Sequence, residues 1–121
     1  MTRAVLLVDH GSRHAEANQQ LEALAERLRA RLPERLVVTA HLEMVPPDIG
    51  AGLDACAEAG ATEVVVHPYF LAPGRHTTED IPRLVAACAE RHPNLKVRIS
   101  QPLGLHDRVV DVVVERIEKS D

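Results

Sequence analysis

The chain has 121 residues, a hydrophobic share of 45% and a net charge of −4 with histidine neutral. That length fits one domain, expected over residues 1–121, and leaves no room for two ordinary ones. With one Tyr, one Phe and no Trp, the core must be aliphatic, and the acidic balance argues against a nucleic-acid partner.

Ala4–Val8 reads AVLLV, a buried strand too short for a signal sequence and closed by Asp9 and His10. A helix is predicted over His14–Leu32, where Ala17, Leu21, Leu24, Leu28 and Leu32 recur at helical spacing before Pro33 stops it. Leu36–Leu42 is the second strand. The second helix is expected over Pro47–Ala59, ending at Gly60 with a positive backbone angle. Thr62–His67 is the third strand. A third helix should open near Thr78, capped by Thr77 or Thr78, and run to Arg91. Leu95–Ile99 alternates like an edge strand, and His106–Glu118 is the fourth helix. No run reaches membrane-span length. Cys56 and Cys88 lack CxxC spacing and read as reduced packing residues, so the cytoplasm is the expected location.

This βαβαβαβα order predicts an α/β fold in three layers. Its four-stranded parallel sheet should run in order 2-1-3-4 with helices on both faces, since crossover helices force parallel, right-handed connections. The fourth helix, with VVDVVVERI, carries more valine than one buried face needs. Two accounts stand: a well-covered core helix, or a subunit contact in a homodimer.

Ligands of open parallel sheets bind at the carboxyl ends of the strands. His10, Glu43 and His76 each follow such an end, directly or beyond a short loop. Two imidazoles and a carboxylate form a donor set for a divalent transition metal. Gly11 permits a tight turn after His10, and Ser12 or Arg13 can meet an anion at the helix start. His41 shares the face of Glu43 if the strand continues. The third loop, His67–Pro82, holds both large aromatics, and Tyr69, Phe70 and Leu71 either line a pocket or cap the core. Its turn at Pro73 and Gly74 delivers Arg75 and His76. Of the other histidines, His92 reads as a helix-end charge partner or surface residue and His106 as the start of the last helix. His67 and His14 are secondary candidates.

Three stretches give the chain a resemblance: LLVDHGSRHAEAN from Leu6 to Asn18, LEMVPPDI from Leu42 to Ile49, and PYFLAPGRHTTEDIP from Pro68 to Pro82. Leu103–Ile117 also fits. The chain resembles the small class II tetrapyrrole chelatases, the sirohydrochlorin cobalt or iron chelatases of cobalamin and sirohaem synthesis. The resemblance implies a chelatase-like fold, a homodimer equivalent to two lobes of longer relatives, and insertion of Co²⁺ or Fe²⁺ into sirohydrochlorin or a related acidic tetrapyrrole. No permanently bound cofactor is implied; the metal is a substrate, with Ni²⁺ or Zn²⁺ also compatible with the ligands. His10 and His76 match the family's metal-binding and catalytic histidines, and Glu43 an acidic residue that completes the site. Arg13 and Arg75 are then placed to pair with substrate carboxylates, with Ser12 beside them, and Tyr69, Phe70 and Leu71 to offer the ring an apolar surface.

Three other readings compete. A non-catalytic metal- or tetrapyrrole-binding module would use the same residues, and a nickel chelatase of coenzyme F430 synthesis has a similar small architecture. A histidine phosphatase or mutase needs Arg before the histidine, where this chain has Asp9.

Overall fold

The computed structural model describes residues 2–120, with His76 described by its backbone alone. Along the chain run β1 (Thr2–Asp9), α1 (Ala15–Arg31), β2 (Arg35–His41), α2 (Ile49–Glu58) and β3 (Ala61–Pro68). A π-helical turn (His76–Asp80) leads into α3 (Ile81–Ala89), followed by β4 (Lys96–Ile99) and α4 (Asp107–Glu118). The sheet is parallel throughout, in order β2-β1-β3-β4.

β1 is central and buried on both faces, which explains its unbroken apolar run. Leu6 and Val8, with Val64 and Val66 of β3, pack against Ile49, Leu53 and Cys56 of α2 and Ile81 and Val85 of α3. Val5 and Leu7, with Val37 of β2, pack against Leu21 and Ala25 of α1. Helices therefore cover both faces, α1 on one and α2 with α3 on the other.

Several boundaries differ from the sequence reading for local reasons. α2 starts at Ile49 rather than Pro47, because the Asp48 carboxylate accepts from the Ala51 N–H at 2.8 Å and caps the helix there. Pro47 instead follows a cis peptide bond to Pro46. Thr77 and Thr78 do not cap α3: both hydroxyls donate to the Gly74 carbonyl, at 3.0 and 2.8 Å, and the chain passes through the wide turn before α3 begins at Ile81. Gly60 takes the expected positive angle, φ 89°.

The fourth helix overturns the core-helix account. No α4 residue is buried, and among the described residues α4 packs closely on no other element. Its N-terminus is conventional, with the His106 ring accepting from the Arg108 N–H at 3.0 Å. Among the described residues no helix is long and apolar enough to cross a membrane.

Candidate functional site

At the carboxyl rim the β1–β2 pairing continues past the strand ends. Asp9 lies in register with His41. The Leu42 N–H then donates to the Asp9 carbonyl at 2.8 Å, and the Glu43 N–H to the His10 carbonyl at 3.1 Å. These two bonds set His10 and Glu43 side by side, and their side chains meet with His10 Nε2 2.7 Å from Glu43 Oε1. Both are about half exposed, so an incoming ion can reach them.

Gly11 makes this approach possible. Its φ is +94°, and a Cβ there would lie 2.0 Å from the Glu43 carbonyl oxygen. Beyond it the first loop is held by Asn18, which sequence reasoning missed. The Ser12 N–H donates to Asn18 Oδ1 at 2.9 Å, and Asn18 Nδ2 donates to the Ser12 carbonyl at 2.8 Å. The Ser12 hydroxyl accepts from the His14 N–H at 3.0 Å, which gives it a role in the turn. Arg13 and His14 are exposed at the start of α1.

His10 lines a cleft of about 360 Å³ together with Asp9, Ser12, Tyr69, Phe70 and Leu71. Its ring meets Phe70 edge-on, with centroids 6.5 Å apart. Phe70 also packs against the core, so it both lines the cleft and caps the fold. Leu71 is 75% exposed beside it. Glu43 lines a second cleft, about 490 Å³, with Met44, Val45, Pro46 and Pro47. The imidazole–carboxylate contact is thus where two clefts meet. Met44 holds a positive φ of 78° between them, with the Val45 N–H bonded to the Glu43 carbonyl.

Arg75 is exposed on the third loop, 3.6 Å from the Glu79 carboxylate, a loose surface pairing that leaves its charge accessible. The His76 backbone opens the π-helical turn that follows; the His76 side chain lies outside the described residues. Among the described residues no three His, Cys, Asp or Glu side chains are gathered to hold a metal, so His10 and Glu43 form the gathered part of the expected set.

Beneath the rim lies a second imidazole–carboxylate contact, also missed from sequence. The buried His41 ring places Nδ1 2.6 Å from Asp9 Oδ1. His67 stands apart from the cleft of His10. It lines a groove beside α1, its Nδ1 2.8 Å from the Ser100 hydroxyl, and burial pushes its pKa below the usual histidine value. His92, read as a helix-end partner, meets Asp54 of α2 at 2.6 Å. That bond and one from Arg91 hold the Asp54 carboxyl below its ordinary range.

Comparison with known proteins follows this geometry. The CbiX family model matches residues 4–120. The chloroplastic sirohydrochlorin ferrochelatase of Arabidopsis thaliana is 40% identical over 114 residues, covering 94% of this chain and 51% of that protein. A sirohydrochlorin cobaltochelatase of Methanocaldococcus jannaschii is 30% identical over 137 residues, covering 93% of this chain and 96% of that protein. The sirohydrochlorin chelatase SirB of Bacillus subtilis subspecies spizizenii, solved in complex with cobalt, superposes with a TM-score of 0.92 at 34% identity, over 98% of this chain and 50% of SirB. The chain therefore spans about half the length of the plant enzyme and of SirB, and nearly all of the archaeal one. A family match over almost the whole length, on the fold and rim loops described above, means that the chain belongs to the CbiX family of class II tetrapyrrole chelatases.

Proposed function

We propose that the chain inserts a divalent metal, Co²⁺ or Fe²⁺, into sirohydrochlorin or a closely related acidic tetrapyrrole, acting as a single chelatase-like domain that assembles as a homodimer. The observation that carries this reading is the His10–Glu43 contact of 2.7 Å at the rim, beside a cleft lined by Tyr69, Phe70 and Leu71. The names of the relatives support it: sirohydrochlorin ferrochelatase and sirohydrochlorin cobaltochelatase.

Insertion needs the ion to shed water and two pyrrole N–H protons to leave the ring. A carboxylate and an imidazole hold the metal through few, exchangeable donors, which leaves coordination positions for ring nitrogens. His76 is assigned as the further ligand from its place in the GRH motif. An imidazole is also suited to accept a proton near neutral pH. One nitrogen cannot bind metal and take a proton together, so the roles of His10 are sequential: it acts as the base before or during transfer of the ion, and the proton it takes passes to Glu43 or to water before that nitrogen can serve as a ligand. The aromatic and aliphatic wall lies against the face of the ring, while Arg13 and Arg75 pair with its peripheral carboxylates.

The test is anaerobic mixing of purified protein with sirohydrochlorin and each of Co²⁺, Fe²⁺, Ni²⁺ and Zn²⁺, followed by absorbance. Accelerated spectral conversion, lost in His10→Ala and His76→Ala, is the expected result. Tetrapyrrole binding without acceleration by any ion would replace the enzyme with a carrier.

A further inference from the structure

Glu43 runs directly into a turn of an uncommon kind. Its carbonyl accepts from the Val45 N–H at 3.0 Å across a single residue, Met44, whose φ is 78°. That is a γ-turn of the positive-φ form, the rarer and more strained of the two. Met44 is the one non-glycine with a positive φ among the described residues, at a position that glycine would occupy without steric cost. The loop around it is closed. The His41 N–H donates to the Pro47 carbonyl at 2.8 Å. The Glu43 carbonyl oxygen presses on Gly11, where a Cβ would come within 2.0 Å of it.

The side chain carried on this strained backbone does not serve the core. Met44 is 53% exposed and packs with neither hydrophobic cluster. It lines the cleft of about 490 Å³ beside Glu43, with Val45, Pro46 and Pro47. On the other side of the His10–Glu43 contact, the cleft of His10 is lined by Phe70 and the exposed Leu71. Two large apolar side chains, Met44 and Leu71, are thus left in water, one in each of the clefts that meet at this pair. Strain held at a residue that adds nothing to packing points to a task at the site. Small-molecule sites are walled mainly by apolar side chains. A thioether side chain is unbranched and polarisable, and it adapts to an irregular surface such as a partly reduced macrocycle.

We propose that Met44 is a specificity-determining residue, its side chain forming the wall of the tetrapyrrole seat on the Glu43 side, across the metal-binding pair from Phe70 and Leu71. This rests on the chelatase reading and names a residue that sets where the ring sits. The γ-turn keeps the side chain at the junction of the clefts while the Glu43 carboxylate stays available to the ion.

The experiment compares the parent with Met44→Gly and Met44→Leu in three measurements: binding of sirohydrochlorin without metal, by absorbance titration; binding of Co²⁺ without tetrapyrrole; and thermal melting. Met44→Gly relieves the turn, so its melting temperature should equal or exceed the parent's. Its dissociation constant for sirohydrochlorin should rise by about fivefold or more, the worth of covering the exposed half of a methionine side chain. Its Co²⁺ affinity should stay within about twofold of the parent's. Met44→Leu restores an apolar wall of similar size and should return sirohydrochlorin binding to within about twofold. A chain that melts no lower yet holds the ring less well is a combination that a merely structural residue does not give. Unchanged sirohydrochlorin binding in Met44→Gly would overturn the assignment and leave the chelatase reading intact. So would a melting temperature or Co²⁺ affinity that falls in step with sirohydrochlorin binding, since Met44 would then act on the loop and on Glu43. A parent that binds sirohydrochlorin but accelerates insertion of no ion would overturn the enzyme alone, with the same binding ratio deciding Met44. A parent that does not bind sirohydrochlorin would remove both.

Discussion

The His41 imidazole and the Asp9 carboxylate lie 2.6 Å apart, one residue before His10 and two before Glu43. The side-chain contact joins residues already paired by the β-ladder, so it ties the strand ends that carry the rim donors. His41→Ala leaves the part-buried Asp9 carboxylate without its partner. A buried group left unsatisfied costs about 1–3 kcal/mol. The melting temperature should fall by several degrees, and metal affinity should fall with it. A melting curve within a degree of the parent would show that the pair contributes nothing to the scaffold.

Gly11→Ala should be more damaging to activity than its size suggests. The new methyl would meet the Glu43 carbonyl at 2.0 Å in a backbone conformation that alanine resists. Strain of this kind is worth about 1–3 kcal/mol. The first two loops must part, and the His10–Glu43 contact with them. A loss of insertion rate much larger than the loss of thermal stability is expected. Parental rates would show that the two loops need not touch.

Arg75→Ala tests substrate recognition. The guanidinium is exposed and only loosely held by Glu79. A charge-assisted hydrogen bond to a substrate carboxylate contributes about 1.5–3 kcal/mol. The half-saturating tetrapyrrole concentration should therefore rise by about tenfold or more, with little change in the rate at saturation. An unchanged concentration dependence would remove Arg75 from the binding surface.

Asp54 gives the fold a specific acid sensitivity. His92 first, and Arg91 second, hold its carboxyl below the ordinary aspartate value. The folded state thus binds this proton less readily than the unfolded one. The stabilisation is complete above the ordinary carboxylate pKa and fades as pH falls through the lowered, folded-state value. Asp54→Asn should melt below the parent at pH 7, and the gap should close in acid. An equal gap at pH 7 and pH 3 would contradict the ion-pair origin.

The strands were legible because β1 and β3 are buried on at least one face along most of their length, and the crossover rules then left one economical order. The proximity of His10 and Glu43 followed from that order, since parallel neighbours end at the same rim. The Asp9–His41 contact was less visible: it depends on the register of two strands, which hydrophobic pattern alone does not set. Their shared position as the last residue of adjacent strands was the available signal. Asn18 was missed because its bonds run backward from the first turn of a helix into the preceding loop. The reading of α4 stayed open because an apolar stripe declares that a helix must be covered without saying by which chain.

The backbone bonds from Leu42 to Asp9 and from Glu43 to His10 have a consequence for which part of the rim can move. They make the Leu42–Glu43 segment an extension of the sheet, which opens only when the edge strand β2 parts from β1. The third loop from Leu71 to Thr78 is exposed at most of its described positions, and Thr77 and Thr78 are tied back to a single carbonyl at Gly74. Local opening therefore costs least in the third loop, the segment with least to lose by yielding. Amide exchange should read this asymmetry directly, slow at Leu42 and Glu43 and fast around Arg75.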